Sequence, residues 1–331
     1  MPIRVGINGF GCIGRNAFRA MQNKNIEIVA VNTQMNTDTI AQLLKSDSER
    51  AEMPFDVKAG RNYIEVNGRK THITADDIIP SGLKWSKLGV EVVLESTGLY
   101  YNADKARSHI NAGAKKVIIS APTKNEDITI VSGVNFITYD KAKHDIISSS
   151  SCSTNCLAPV LKVINESFGV EYGTIVNIQT YINDQEIYEF PQRDFYETYA
   201  IAMRLIPTAT NTLIDLGKIM PDFDGKIDGY TMRVSTFSLS AVEFSCTLKK
   251  HTTAKEINEA IKEAEDCKLR AILGYTEKPL RSIDFNSRPN SSTFDARFTK
   301  IVDHNKLQVL SWYDNEWGYA NRISELITRV L

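Results

Sequence analysis

Along the first half of the chain, short apolar runs alternate with stretches of helical spacing. Ile3–Asn8 (Ile-Arg-Val-Gly-Ile-Asn) reads as a strand, Arg15–Asn23 as a helix and Ile26–Asn32 as a second strand. Further strand-like runs lie at Val90–Glu95, Lys116–Ser120, Ile128–Val131 and Asp145–Ser148, with a helix predicted at Asn102–Ala112. Such alternation predicts a largely parallel sheet and an α/β fold. Met53–Thr74 breaks the rhythm with short alternating runs around Asn67-Gly68, which reads as a hairpin insertion. Helical spacing returns after Cys152: Val160, Leu161, Val163, Ile164 and Phe168 share a face, and Gly169 ends the pattern. Thr253-x-x-Glu256 predicts a capping box, with Ile257, Ala260 and Ile261 facing a core behind it.

Between the first strand and first helix stands Gly9-Phe10-Gly11-Cys12-Ile13-Gly14. In that setting Gly9 permits a tight turn, Gly11 lets the backbone approach a pyrophosphate and Gly14 lets helix and strand pack closely. The helix then offers free N–H groups to phosphate oxygens. A dinucleotide-binding strand pair ordinarily ends in a carboxylate that holds the ribose. Here the second strand ends Asn32-Thr33-Gln34. Thr33 carries no charge and does not repel a 2′-phosphate, so the cofactor stays open between NAD and NADP.

Composition narrows the class. The 331 residues suggest about two domains. A net charge of −1 leaves no basic field for a nucleic-acid backbone, and no apolar stretch is long enough to span a bilayer. The chain opens without a charged-then-apolar leader. Cys12, Cys152, Cys156, Cys246 and Cys267 are odd in number and irregularly spaced, so a reducing, cytoplasmic setting is expected rather than a disulfide framework. Cys152 and Cys156 lack a second pair or a nearby His, so no metal site is expected.

The chain reads Ser-Ser-Ser-Ser-Cys-Ser-Thr-Asn-Cys-Leu-Ala-Pro over 148–159, which sets Cys152 at a predicted helix N-terminus. That position favours a thiolate. Together with Gly9–Gly14, Glu95-Ser96-Thr97-Gly98, Ser120-Ala121-Pro122, Ser291–Ala296 and Ser311–Arg322, this block resembles the glyceraldehyde-3-phosphate dehydrogenase family, in the right order over essentially the whole chain. Erythrose-4-phosphate dehydrogenase shares the architecture, so the aldehyde stays open.

The resemblance implies a Rossmann-type doubly wound NAD(P)-binding domain over residues 1–150, with residues 315–331 packing back on it. It implies an α+β catalytic domain with a mixed sheet over 151–314. By the same resemblance, Cys152 is the nucleophile that forms a hemithioacetal and then a thioester released by inorganic phosphate. The implied cofactor contacts are Gly9, Phe10, Gly11, Cys12, Ile13, Gly14, Thr33, Thr97, Gly98 and Ser120, with Asn315 at the nicotinamide carboxamide and Tyr319 near the ring. The phosphate groups of the aldehyde phosphate and of inorganic phosphate fall to Ser151, Ser153, Thr154, Thr210 and Arg233. A homotetramer is implied as the assembly.

The chain departs from the family pattern at ligand positions. Gln179 stands where the family carries its general-base His, and an amide takes no proton at neutral pH. None of the histidines (His72, His109, His144, His251, His304) aligns with a catalytic position, and they read as surface or structural. Cys12 and Thr33 replace an Arg and an Asp at the nucleotide. Ile182 and Asn211 replace a Thr and a Gly at the phosphates. Tyr196, Glu197 and Tyr199 fall in Asp194–Met203, where the family carries an arginine-rich interface loop. Two further readings follow: a catalytically impaired paralogue used for binding, redox sensing or assembly, and a dehydrogenase acting on a different aldehyde.

Overall fold

The computed structural model describes residues 1–46, 54–75, 82–180, 205–210, 212–236 and 239–331. The chain forms two compact units. One comprises Met1–Ile130, Asn135–Ser150 and Ala320–Leu331, the other Val131–Val134 and Ser151–Tyr319.

The first unit runs β1 (Ile3–Asn8), α1 (Cys12–Met21), β2 (Ile26–Asn32), α2 (Thr37–Lys45), β3 (Val57–Ala59), β4 (Tyr63–Val66), β5 (Arg69–Thr74), α3 (Trp85–Leu88), β6 (Val92–Glu95), α4 (Ala103–Asn111), β7 (Lys116–Ile119), β8 (Ile128–Thr129) and β9 (Ile146–Ser148). Among the described residues these strands make one nine-stranded sheet, ordered β3-β4-β5-β2-β1-β6-β7-β9-β8. β2 and β6 flank β1 in parallel, so the chain's winding reverses at the β1/β6 seam. In open α/β sheets the ligand crevice opens at that switch point, outside the carboxyl ends of the strands. β6 and β7 are buried along their whole lengths, as strands covered on both faces must be. Burying each of their Val, Leu and Ile side chains contributes roughly 1.5–3 kcal/mol.

Two expectations are corrected here. The helix predicted from Arg15 begins at Cys12, because Gly11 takes the N-cap position in extended conformation and the end of the glycine turn becomes the first helical turn. The predicted hairpin exists, with Asn67 and Gly68 both at positive φ (51° and 79°), as a two-residue turn of right-handed twist demands. It is not an appendage, since β5 pairs in parallel with β2 and continues the main sheet.

The second unit runs α5 (Cys152–Phe168), β10 (Val170–Thr180), β11 (Ile206–Thr208), α6 (Thr212–Ile219), β12 (Ile227–Val234), β13 (Leu239–Leu248), α7 (Ala254–Asp266), β14 (Leu273–Thr276), β15 (Ser292–Asp295), β16 (Lys300–Val302), β17 (Lys306–Asp314) and the start of α8 (Trp317–Ile327). Its sheet is ordered β11-β12-β10-β13-β17-β15-β14, with β16 on β17. It is mixed: β12 lies parallel to β10, whereas β13 is antiparallel to it. α5 lays Cys156, Leu157, Val160, Leu161 and Ile164 into the core shared with Phe244, Phe294 and Leu307. α5 tolerates Pro159 in its interior and stops at Gly169 (φ 71°). Thr253 and Glu256 form the predicted capping box at the start of α7. Among the described residues no helix is long and apolar enough to cross a membrane.

Candidate active site

Cys152 is the first residue of α5, and Ser151 caps that helix by accepting a hydrogen bond from the Thr154 amide at 3.1 Å. The helix end therefore aims amide groups at the sulfur. The neighbouring strand β10 carries Gln179, whose Nε2 approaches Cys152 Sγ at 3.8 Å. The amide does not swing freely. Asn177, two residues back on the same side of the strand, donates from Nδ2 to Gln179 Oε1 (3.1 Å) and to Thr231 Oγ1 (3.2 Å). Asn177 Oδ1 in turn accepts from the buried Tyr313 hydroxyl at 2.9 Å. With Oε1 held by Asn177, Gln179 presents N–H to the sulfur.

The position of Cys152 at a helix start favours a lowered thiol pKa, and burial works against it. Burial pushes the Cys152 thiol up to about 11, although the Arg233 guanidinium and the amides of Ser153 and Cys152 pull it down; Asp314 adds to the rise. The helix-end effect is real but smaller than the loss of water around the sulfur. Deeper in α5, Cys156 is fully buried and faces Ser292 Oγ at 3.4 Å.

A string of hydroxyls joins the first turn of α5 to the start of α6. Thr210 Oγ1 donates to Thr212 Oγ1 (2.9 Å), which lies 2.6 Å from Ser153 Oγ. Ser153 Oγ is 3.0 Å from Ser151 Oγ, itself 2.6 Å from Thr154 Oγ1. The structure thus gathers Ser151, Ser153, Thr154 and Thr210, all named from the sequence, and adds Thr212, which sequence reading missed. Arg233 pairs in register with Gln179 and donates from Nη1 to the Thr180 carbonyl at 3.3 Å. Asn315 donates from Nδ2 to Thr180 Oγ1 and accepts from Ser240 Oγ, both at 3.3 Å. Tyr319 is buried in the first turns of α8.

In the first unit, Gly9 has φ of 89°, and a Cβ there would sit 2.7 Å from the Thr97 amide. A Cβ on Gly14 would collide with the Gly9 carbonyl, whereas one on Gly11 would meet nothing. Phe10 turns inward, edge-on to Phe18, so only its backbone belongs to the turn. Cys12 and Ile13 are half-buried, and Asn16 donates to Cys12 Sγ at 3.3 Å. Unlike α2 and α4, which Asn36 and Asn102 cap, α1 has no side-chain cap on its first amides. Open space at Gly11 and uncapped amides fit a pyrophosphate. Thr33 donates its amide to the Thr74 carbonyl (2.9 Å), and its hydroxyl accepts from the Met35 amide (3.3 Å).

Beneath this turn lies a polar network that sequence reading also missed. Glu95, at the end of β6, accepts from the Thr97 amide (2.8 Å), the Thr97 hydroxyl (2.6 Å) and Asn8 Nδ2 (2.6 Å). His109 Nε2 lies 3.0 Å from the same carboxylate, and Trp85 Nε1 donates to His109 Nδ1 at 2.9 Å. An indole N–H only donates, so Nε2 of His109 carries the ring proton and gives it to Glu95. The network fixes Thr97 and hence Gly98 (φ 74°) beside Gly9. Ser120 closes the group by donating from its hydroxyl to the Glu95 carbonyl at 3.0 Å.

Ile182, Tyr196, Glu197, Tyr199 and Asn211 lie outside the described residues. Among the described residues no cluster of His, Cys, Asp and Glu has the makings of a metal site.

A glycine turn at the switch point of a parallel sheet, together with a thiol heading a helix over a mixed sheet, defines a two-part, Rossmann-type oxidoreductase. The profile described as "Glyceraldehyde 3-phosphate dehydrogenase, NAD binding domain" matches residues 3–103, and the one described as "Glyceraldehyde 3-phosphate dehydrogenase, C-terminal domain" matches 151–315. The chain is 46% identical over 327 residues to glyceraldehyde-3-phosphate dehydrogenase 1 of Bacillus subtilis, covering 98% of this chain and 97% of that protein. It is 45% identical over 327 residues to the Geobacillus stearothermophilus glyceraldehyde-3-phosphate dehydrogenase, with the same coverage. It is 44% identical over 337 residues to that of Mycobacterium avium, covering 100% of this chain and 99% of that protein. The chain belongs to the glyceraldehyde-3-phosphate dehydrogenase family.

Proposed function

We propose that this chain is a slow NAD(P)-linked aldehyde dehydrogenase that works through a thioester on Cys152. The observation that carries the reading is the Gln179 amide, held 3.8 Å from the sulfur with its N–H toward it. The resemblance places a proton-accepting His at this position, and Gln179 can only donate there.

Cys152 Sγ adds to the aldehyde carbon and leaves a hemithioacetal oxygen to which Gln179 can donate. The hydroxyl proton of that adduct has to leave to solvent, because the amide cannot take it. A missing general base costs about 10²–10⁴ in rate. The raised thiol adds to the delay, since only the thiolate attacks. The nicotinamide, when bound, takes up the two electrons of aldehyde oxidation. Asn315 would hold its carboxamide, Tyr319 would lie near the ring, and the uncapped amides of α1 with Gly9–Gly14 would hold the pyrophosphate. Thr33, neutral and turned to the Met35 amide, supports use of either NAD or NADP. Arg233 would take the phosphate of an aldehyde phosphate, and the hydroxyls beside Cys152 belong to the acyl-acceptor side. We place the protein in the cytoplasm as a homotetramer.

The second reading, a paralogue used for binding or assembly, draws on the same Gln179. Its redox-sensing version is disfavoured by the burial that pushes the Cys152 thiol up. The test is oxidation of glyceraldehyde 3-phosphate with NAD or NADP, for the native chain and for Gln179→His. A measurable native rate that rises at least about a hundredfold in the variant is expected. No turnover by either protein, with no acyl group on Cys152, would leave the non-enzymatic reading in place.

A further inference from the structure

The Gln179 amide owes its aim to one neighbour. Among the described residues, the hydrogen-bond partner of its carbonyl Oε1 is Asn177 Nδ2, at 3.1 Å. A primary amide has one acceptor oxygen and two donor hydrogens, and in the buried Asn177 all three are engaged. Oδ1 faces the Tyr313 hydroxyl on β17, one Nδ2 hydrogen faces Thr231 Oγ1 on β12, and the other faces Gln179. Thr231 lies directly opposite Asn177 in the β10–β12 pair, and Tyr313 stands on the strand beyond β13. One amide is thus held from both sides of its own strand.

Thr231 and Tyr313 are themselves buried, so water does not compete for these groups. Turning Asn177 over would require the Tyr313 hydroxyl and the Gln179 amide to turn with it. The three groups are coupled, and the last of them faces the sulfur, with Gln179 Nε2 at 3.8 Å from Cys152 Sγ. The terminal torsion of a glutamine is broad, and Gln179 is only half-buried. Without its anchor the amide would show the sulfur N–H and carbonyl oxygen in turn. An N–H favours the thiolate and a carbonyl favours the thiol, so an amide that samples both loses most of its influence. A donor that is already aimed needs no reorganisation when charge develops on the sulfur or on the oxygen of its adduct.

We infer that Asn177 is a positioning residue for the Cys152 site: by anchoring the Gln179 amide to the buried Tyr313 and Thr231 hydroxyls, it sets the reactivity of the sulfur. The inference rests on the reading of Cys152 as the reacting group. Among the described residues Asn177 forms no hydrogen bond to Cys152, and it acts through Gln179.

The test is a double-mutant cycle read without turnover. Iodoacetamide alkylation of Cys152 in the full-length protein is followed at pH 8 and 9 for the native chain, Asn177→Leu, Gln179→Leu and the two together. Asn177→Leu is expected to slow alkylation about tenfold, the scale of one hydrogen bond to a charged group. In the Gln179→Leu background the same change is expected to alter the rate by less than about twofold. Tyr313→Phe keeps the ring, loses the hydroxyl and serves where Asn177→Leu does not fold. It is expected to slow alkylation severalfold beside Gln179 and to have no effect in the Gln179→Leu background. Single-variant rates equal to the native rate would overturn the inference, as would the same slowing in both backgrounds. Faster alkylation that disappears in the Gln179→Leu background would uphold the coupling and set the Gln179 carbonyl, rather than its N–H, against the sulfur. Turnover is measured separately: a native chain that oxidises no aldehyde while the cycle stays non-additive would remove the dehydrogenase reading and leave this one standing.

Discussion

Replacing Gln179 by His sets an imidazole beside a sulfur that now has an amide 3.8 Å away. A thiolate–imidazolium pair at about 4 Å gains roughly 4 kcal/mol at an effective dielectric of about 20, which is about three pKa units. The Cys152 thiol, pushed up to about 11 by burial, would fall to the neighbourhood of 8. At pH 8 the native site holds on the order of one thiolate per thousand molecules, and the variant about half of its sulfur. Iodoacetamide trapping against pH, read by peptide mass, reports this directly: Cys12, Cys246 and Cys267 lie on other tryptic peptides, and fragmentation separates Cys152 from Cys156 on the one they share. The native profile should rise toward about 11, and that of Gln179→His should level off near 8. At pH 8 the variant should react several hundredfold faster. A native profile centred near 9, or a variant profile that coincides with the native one, would refute the account of burial as the dominant influence on this sulfur.

Three further outcomes are expected. Glu95→Ala should leave Asn8, Thr97 and His109 without their shared acceptor and cost about 2–4 kcal/mol by chemical denaturation, with weaker NAD binding by calorimetry. Gly14→Ala drives a Cβ into the Gly9 carbonyl and should abolish dinucleotide binding in the same calorimetry, while far-UV dichroism is retained. Because the folded Cys152 thiol holds its proton more tightly than the unfolded one, its contribution to stability is complete below about pH 9 and lost as pH climbs through about 11; Cys152→Ser should flatten the melting curve over that window.

The parts of the site whose chemistry is local were legible in the sequence. The Gly9–Gly14 turn declares itself because a strand, three glycines and a helix follow within thirty residues; Gly9 and Gly14 answer steric demands the structure displays, and Gly11 borders open space. Cys152 at a helix start was legible for the same reason, with Ser151 in place as its cap. The thiol's pKa was not, because the helix end is written in the adjacent residues whereas burial comes from elements far along the chain. Asn177 and Tyr313 are separated by 136 residues, and Ser153 and Thr212 by 59, so no spacing announces either bond. Gln179 could be placed only through resemblance; its role as a fixed donor needed Asn177 on the same strand. The hairpin was recognised but misassigned as an insertion, because turn chemistry reports the turn and says nothing of which strand β5 will pair with.

The indole at the far end of the Glu95 network supplies a natural lamp. Trp85 is the one fully buried tryptophan of the three, and its ring nitrogen connects through His109 and Glu95 to Thr97. Any occupant that tugs on the Thr97–Gly98 backbone pulls on that connection, so the colour of Trp85 emission becomes a label-free gauge of whether the glycine turn is filled.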